Sequence, residues 1–463
     1  MRYVSTRGDA PAVGFSDALL AGLAPDGGLY VPETWPAFTK DEIAAFAGKP
    51  YADVAAAVVG RFVGDDIPAA DLAAICRAAY ATFSHPAVTP LKQLDAGLWL
   101  LELFHGPTLA FKDVAMQLLA RLYAHVLKAK ARKLTIVCAT SGDTGGAAVE
   151  AFRGADNIRI VVLFPDGRIS EVQRRFMTTT GEANVACLSI DGTFDDCQTL
   201  VKSLFRDRAF ADKVDLSGVN SINWARVAAQ AVYYFTSAVA LGAPHREVSF
   251  AVPTGNFGDA FAGYVAMKLG LPIGRITAAT NSNDIVARAF STGRYATGQV
   301  MATQSPAMDI QISSNFERLY FEAVGRDAAD TARAFATFGE TGAIDLPTQA
   351  FADIKVRFSG IAVDEAETSA TIARTLKTTG ELIDPHTAVG VAAALRQGPS
   401  ETPLVVLSTA HPAKFPEAVE AASGQAPALH FRAHGLFDRP EKTESLPVDA
   451  DKLKAFVRAF AKA

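Results

Sequence analysis

Leu134-Thr-Ile-Val-Cys-Ala-Thr-Ser-Gly-Asp-Thr-Gly-Gly146 is the stretch that decides the fold class. Leu134–Ala139 is a short apolar run, as a strand covered on both faces should be. It breaks into a glycine turn, and a helical pattern follows over Ala147–Phe152. The same succession recurs along the chain. Ile158–Phe164, Val185–Ile190, Val248–Val252, Ile276–Thr280 and Leu404–Leu407 read as further strands, with helical patterns at Asp195–Phe205, Ala225–Leu241 and Asp259–Leu269. Such alternation predicts an α/β fold of open, mostly parallel sheets covered by helices.

Upstream, residues 1 to about 95 follow a different rhythm. Asp26-Gly-Gly-Leu-Tyr-Val-Pro32 is a turn running into an extended segment, because Gly27 and Gly28 tolerate positive φ and Pro32 keeps Val31 out of the helical region. Ile43 and Phe46, Val54 and Val58, and Leu72, Ile75, Cys76 and Ala79 then recur at helical steps. This piece is expected to be a helical N-terminal domain, 1–95, serving as structural packing. Residues 96–430 form the α/β region. In 431–463, Pro440 and Glu441-Lys-Thr-Glu444 read as loop, and Leu453, Phe456, Val457 and Phe460 form one face of a closing helix that docks on the body.

Composition narrows the function classes. At 463 residues the chain is too long for one ordinary core, and 49% hydrophobic against 20% charged residues describes a compact globular protein. A net charge of -5 argues against a broad basic surface for nucleic acid. The N-terminal residues carry no apolar secretory core, and no apolar run is long enough to cross a bilayer. Cys76, Cys138, Cys187 and Cys197 have neither zinc-site spacing nor the density of a disulfide scaffold, so free buried thiols in a cytoplasmic protein are expected, with no metal.

Chemistry gathers in a few places. In Leu101–Met116, Gly106-Pro107 signals a turn and Thr108 is placed to cap a helix. Lys112 stands at the mouth of that helix, ahead of Val114, Leu118, Leu119, Leu122 and Val126. An apolar surround disfavours the ammonium form, and a neutral amine can hold an aldehyde cofactor as a Schiff base. Two glycine turns, Ala139–Gly146 and Pro253-Thr-Gly-Asn-Phe-Gly258, each follow a strand and precede a helix, where backbone amides converge on an anion. Neither fits the Walker-A or the dinucleotide pattern, which speaks against a nucleotide-dependent oxidoreductase. Thr140, Ser141 and Thr144 add hydroxyls. In Asn220-Ser-Ile-Asn-Trp-Ala-Arg226, Arg226 offers a planar fork suited to phosphate. Ser408 and Thr409 close a strand at the end where open sheets bind ligands, and His411-Pro412 shapes the turn after them. Ser314 with Glu317 reads as a capping box. Each feature alone is ordinary; together they suit a phosphorylated aldehyde cofactor and a phosphorylated or carboxylate substrate.

These motifs resemble a known family. Glu102–Met116, centred on Phe111-Lys112-Asp113, looks like the attachment motif of the pyridoxal-phosphate-dependent serine/threonine dehydratase superfamily. Asp26–Pro32, His105–Lys112, Thr140–Gly146, Asn220–Arg226, Pro253–Gly258 and Met308–Arg318 together are similar to the threonine synthase family, in its longer form with an N-terminal domain. The resemblance implies two open, mostly parallel sheets of the tryptophan synthase β-like pyridoxal-phosphate fold, with two α/β subdomains within 96–430. It implies pyridoxal 5'-phosphate as cofactor, Lys112 as its Schiff-base and proton-shuttling lysine, and a phosphate cradle of Gly255, Asn256, Phe257 and Gly258. Thr409 would meet the pyridine nitrogen, and Asp143 would lie opposite the phenolic oxygen, where many members have Asn. Thr140, Ser141, Gly142 and Thr144 would receive the substrate carboxylate, and Asn220, Asn223 and Arg226 the phosphate of O-phospho-L-homoserine.

The implied reaction is the conversion of O-phospho-L-homoserine and water to L-threonine and phosphate, the last step of threonine biosynthesis, by a carbon–oxygen lyase. The alternatives are a phospho-lyase with the same cofactor and a non-catalytic anion sensor. A small-molecule substrate is expected, with no nucleic acid or membrane partner, in a monomer or homodimer.

Overall fold

A computed structural model describes residues 1–462. The chain folds into two compact units, Met1–His105 with Ser221–Pro427, and Gly106–Asn220 with Ala428–Ala463.

The first unit is built on a six-stranded sheet in the order Phe358–Ala362, Ile273–Thr280, Val248–Pro253, Leu404–Ser408, Leu98–Glu102, Leu91–Asp95. All pairs are parallel except the last, which is antiparallel at the edge. The central strands Val248–Pro253 and Leu404–Ser408 are almost wholly buried, and this explains their near-continuous apolar sequences. Ser249, Phe250 and Ala251 pair with Leu404, Val405 and Val406, so the two strands end side by side. The corner after Pro253 and the residues after Ser408 therefore lie together at the carboxyl ends of the central strands.

The N-terminal residues fold into this unit, although their helical rhythm suggests a separate domain. The reason is aromatic packing on the buried helix Trp224–Ala240. Tyr3 and Phe62 lie 5.9 Å and 5.3 Å from Trp224, and Phe38 and Phe46 lie 5.5 Å and 5.8 Å from Phe235, ring centre to ring centre. The expected turn at Asp26–Gly28 is present: Asp26 Oδ1 accepts from the Gly28 amide and the Ser5 hydroxyl, and Gly27 has φ of +81°.

The second unit carries a five-stranded parallel sheet in the order Glu444–Leu446, Val185–Ile190, Ile158–Pro165, Leu134–Ala139, Leu216–Ser217. Glu441–Glu444 was expected as loop, but Glu444 opens an edge strand on Val185–Ile190. Its charged, exposed character suits a sheet edge and hides the strand from an apolar pattern. The closing helix Ala450–Phe460 docks as its periodicity predicts, with Leu453 and Val457 buried against Val137, Leu163 and Leu204. All four cysteines are free and buried. Among the described residues no helix is long and apolar enough to cross a membrane.

Candidate active site

In the second unit, Lys112 is the first residue of the helix Lys112–Ala129 and is only 8% exposed. The expected cap works in reverse. The cap residue is Phe111, without a side-chain cap, and the Thr108 amide and hydroxyl both donate to the Asp113 carboxylate, at 2.7 Å each. A β-carbon at Gly106 would collide with that same Asp113, so the Gly106–Asp113 motif locks itself around the helix mouth. Leu109, fully buried, sits at φ of +62°, and strain of this kind three residues before Lys112 persists only where packing over-determines it.

Lys112 Nζ lies 3.6 Å from Asp143 Oδ2 and 5.5 Å from the Phe111 ring. The surround is therefore not purely apolar. A buried amine acquires a carboxylate partner, because a lone buried charge is too costly to keep. Asp143 opens the helix Asp143–Phe152 after the glycine corner, and its Oδ1 accepts from Gln173 Nε2 at 2.9 Å. Gln173 is a site residue that sequence reading overlooked. Its one signal, Ser170 with Gln173 as a capping box, points only to a helix start.

The corner itself is stapled from inside. Thr140 Oγ1, with Thr140 1% exposed, accepts the amides of Gly142 and Gly145 at 2.9 Å and 2.8 Å, so this hydroxyl shapes the turn. Gly142 has φ of +125°, and a β-carbon there would strike Gln173. Ser141 and Thr144 are partly exposed at the same corner. Asn220 is exposed, just beyond Leu216–Ser217, the strand that pairs with Leu134–Ala139.

In the first unit the corner after Val248–Pro253 is built differently. Phe257 holds φ of +61° as the cap residue before the helix Gly258–Lys268, wedged 5.8 Å from Phe290 and 5.7 Å from Phe358. The corner's carbonyls are taken up by distant chain: Ser313 Oγ donates to Gly255 O at 2.6 Å, and the Asn315 amide and Nδ2 both donate to Asn256 O at 3.1 Å. The amides of residues 255–258 find no acceptor among the described residues and stand at a helix N-terminus, an arrangement suited to an anion. A β-carbon at Gly255 would lie 2.9 Å from the Ala307 carbonyl oxygen. Thr409, 5% exposed, follows Leu404–Ser408 at the same carboxyl end of the strands.

Asn223 and Arg226 belong to this unit and adjoin the corner, since Asn315 Nδ2 also donates to Ser221 O at 3.2 Å. Asn223 Oδ1 caps the helix through the Ala225 amide and its Nδ2 donates to Leu19 O, so its side chain is committed to fixing the segment. Arg226 is buried in the first turn of that helix. Arg318, fully buried, donates to Tyr30 O at 2.9 Å, to Ile222 O at 2.6 Å and to Asn315 Oδ1, joining the strand Tyr30–Pro32, the Asn223 segment and the corner's staple. The expected Ser314–Glu317 capping box does not form. Asn315 is the cap residue without a side-chain cap, and Glu317 instead accepts from Thr6 and, bidentately, from Arg7.

The family described as pyridoxal-phosphate dependent enzyme matches residues 82–346, threonine synthase N terminus matches 2–80, and threonine synthase C-terminal matches 387–457. The threonine synthase of Pseudomonas aeruginosa is 51% identical over 99% of this chain and 98% of its own. The chain belongs to the threonine synthase family. The crystal structure of pyridoxal-phosphate-bound threonine synthase from Brucella melitensis, 55% identical, superposes with a TM-score of 0.97 over 100% of both chains. The yeast threonine synthase structure, at 37% identity, gives 0.94 over 100% of this chain and 99% of that one.

As a member of the threonine synthase family the protein is a pyridoxal-phosphate-dependent lyase of the tryptophan synthase β-like fold. Its residues fit that cofactor: a buried amine at a helix mouth, and a corner with donating amides and no room for a side chain at Gly255.

Proposed function

We propose that this member of the threonine synthase family acts on O-phospho-L-homoserine and water in the cytoplasm, releasing L-threonine and phosphate. In balance, the bond from Cγ to oxygen breaks with its electrons leaving on phosphate, Cβ loses a proton and Cγ gains one. Water adds hydroxide at Cβ and gives its proton to the phosphate. Bound pyridoxal phosphate supplies an electron sink conjugated with the substrate amine.

This chain's residues do the rest. Lys112 carries protons at Cα and Cβ, and Asp143, steadied by Gln173, offers a counter-charge 3.6 Å from its nitrogen. The amides of Gly255, Asn256, Phe257 and Gly258 hold the cofactor phosphate, and Thr409 meets the ring nitrogen. Ser141, Gly142 and Thr144 receive the substrate carboxylate in a turn shaped by Thr140. Asn220 and Arg226 hold the substrate phosphate and stabilise it as it leaves, with Asn223 fixing the segment.

The observation that carries the reading is the buried Lys112 paired with Asp143, in a chain of this family. Lys112→Ala should lower threonine formation from O-phosphohomoserine by more than about a thousandfold, as expected when a reacting proton carrier is lost. Phosphate and threonine in equal yield from the unaltered enzyme support the proposal, whereas 2-oxobutyrate with phosphate would make it a simple phospho-lyase.

A further inference from the structure

One fully buried carboxylate in the first unit has no part in the reaction so far. Asp384 caps the helix Pro385–Gln397 and is 0% exposed. Its Oδ2 meets His386 Nδ1 at 2.8 Å, and its Oδ1 accepts the Thr387 amide at 3.0 Å and the Thr387 hydroxyl. Each limb of this hub leads to a different part of the site.

The first limb runs through the imidazole. His386 Nε2 accepts the Ala307 amide at 3.2 Å, so the ring proton sits on Nδ1 and is donated to Asp384. Ala307 is the residue whose carbonyl stands 2.9 Å from where a Gly255 side chain would begin, and Met308 Cα lies 3.3 Å from the same point. The imidazole thus fixes the wall of the phosphate corner. The second limb runs through Thr387. Its hydroxyl gives its proton to Asp384, leaving two lone pairs for the Thr409 amide at 3.3 Å and the Ser408 hydroxyl at 3.1 Å. Every proton in the network then has one direction.

We infer that Asp384 is a positioning residue for the cofactor at both its ends, acting through His386 on the phosphate corner and through Thr387 on Thr409. The inference rests on the reading that Gly255–Gly258 and Thr409 hold the cofactor phosphate and ring nitrogen. Asp384→Asn tests it by chemistry. Asp384 Oδ2 also accepts the His386 amide at 3.0 Å, so the new amide must set its NH2 either against the His386 amide and Nδ1 or against the Thr387 amide and hydroxyl, and one limb loses its acceptor in either orientation.

Holoenzyme and cofactor-free protein of each variant are measured for cofactor dissociation constant, for the 31P resonance of the bound phosphate, for visible absorbance and for urea unfolding. For Asp384→Asn we expect cofactor affinity about 10- to 100-fold weaker, in line with other supporting residues behind a ligand shell, with a displaced 31P resonance, a shifted absorbance maximum or both. The unfolding midpoint of the cofactor-free protein should stay close to that of the parent. Thr387→Val should shift the absorbance maximum and leave the 31P resonance in place, and Thr387→Ser should restore the parent spectrum. Unchanged affinity and 31P resonance in Asp384→Asn would overturn the inference, as would an affinity loss matched by equal loss of stability without cofactor. If Asp384→Asn fails to fold, Thr387→Val decides, and an unchanged spectrum and affinity would overturn the inference. Gly255→Val separates the two levels: if it binds cofactor as the parent does, the site reading itself is at fault.

Discussion

The two glycine corners look alike in sequence and are built in opposite ways. The Thr140–Gly146 corner holds itself: Thr140 accepts the amides two and five residues on, and Gln173, from the next helix, fills the space that Gly142 leaves. The Pro253–Gly258 corner is held from afar, by Ser313 and Asn315 on its carbonyls and by Ala307 against Gly255. A corner that donates its own amides to a ligand must have its carbonyls taken up elsewhere, so the rest of the unit shapes it. The pattern strand, glycines, helix therefore predicts where a corner is, and its supports predict how it fails.

The largest effect should come from the distant support. Arg318→Met leaves the Tyr30 and Ile222 carbonyls without their buried donor and should cost about 3–5 kcal/mol. Hydrogen exchange should quicken at residues 255–258 and stay slow at 142–146; equal loosening of both corners would break the contrast.

Next is a pH effect at the second corner. Asp259, in the first turn after it, has its carboxyl pushed up to about 7 by burial, against the lowering bonds from Tyr233 and Tyr234. Its protonated form is the one the fold favours, so its contribution is complete below the unfolded value near 4 and is lost as pH rises toward 7. Urea titrations should show a decline on the order of 4 kcal/mol across that window, and Asp259→Asn should abolish that component. A slope unchanged in the variant would assign it elsewhere.

Thr140→Val, which strips an acceptor from two buried amides, should cost about 2 kcal/mol and loosen only residues 141–146. Ser313→Ala should be the mildest, about 1 kcal/mol, and its signature should be weaker cofactor retention. If Ser313→Ala proved costlier than Thr140→Val, remote support would matter more than the internal staple.

Much of this was readable in advance, and what was missed has a common cause. Strands at Leu134, Val185, Val248 and Leu404 are near-continuous apolar runs because they are buried on both faces. Phe358–Ala362 and Glu444–Leu446 lie at sheet edges, where pairing continues without an apolar signature. Ser314 and Glu317 have the spacing of a capping box, yet Arg7 and Thr6, some 310 residues away, claim the glutamate. Asp384 caps its helix, and nothing in the local sequence reveals that the His386 imidazole braces Ala307.

By itself the sequence determined the α/β architecture, the two corners, the lysine at the helix mouth and, through its ordered motifs, the family. Burial periodicity and glycine placement are local constraints, so they survive in one dimension. Only the tertiary structure decided that Lys112 pairs with Asp143, that Gln173 steadies that carboxylate, and that Arg318 and Asp384 tie loops together. Buried polar groups must find partners wherever the fold brings them, and sequence spacing carries no record of such meetings.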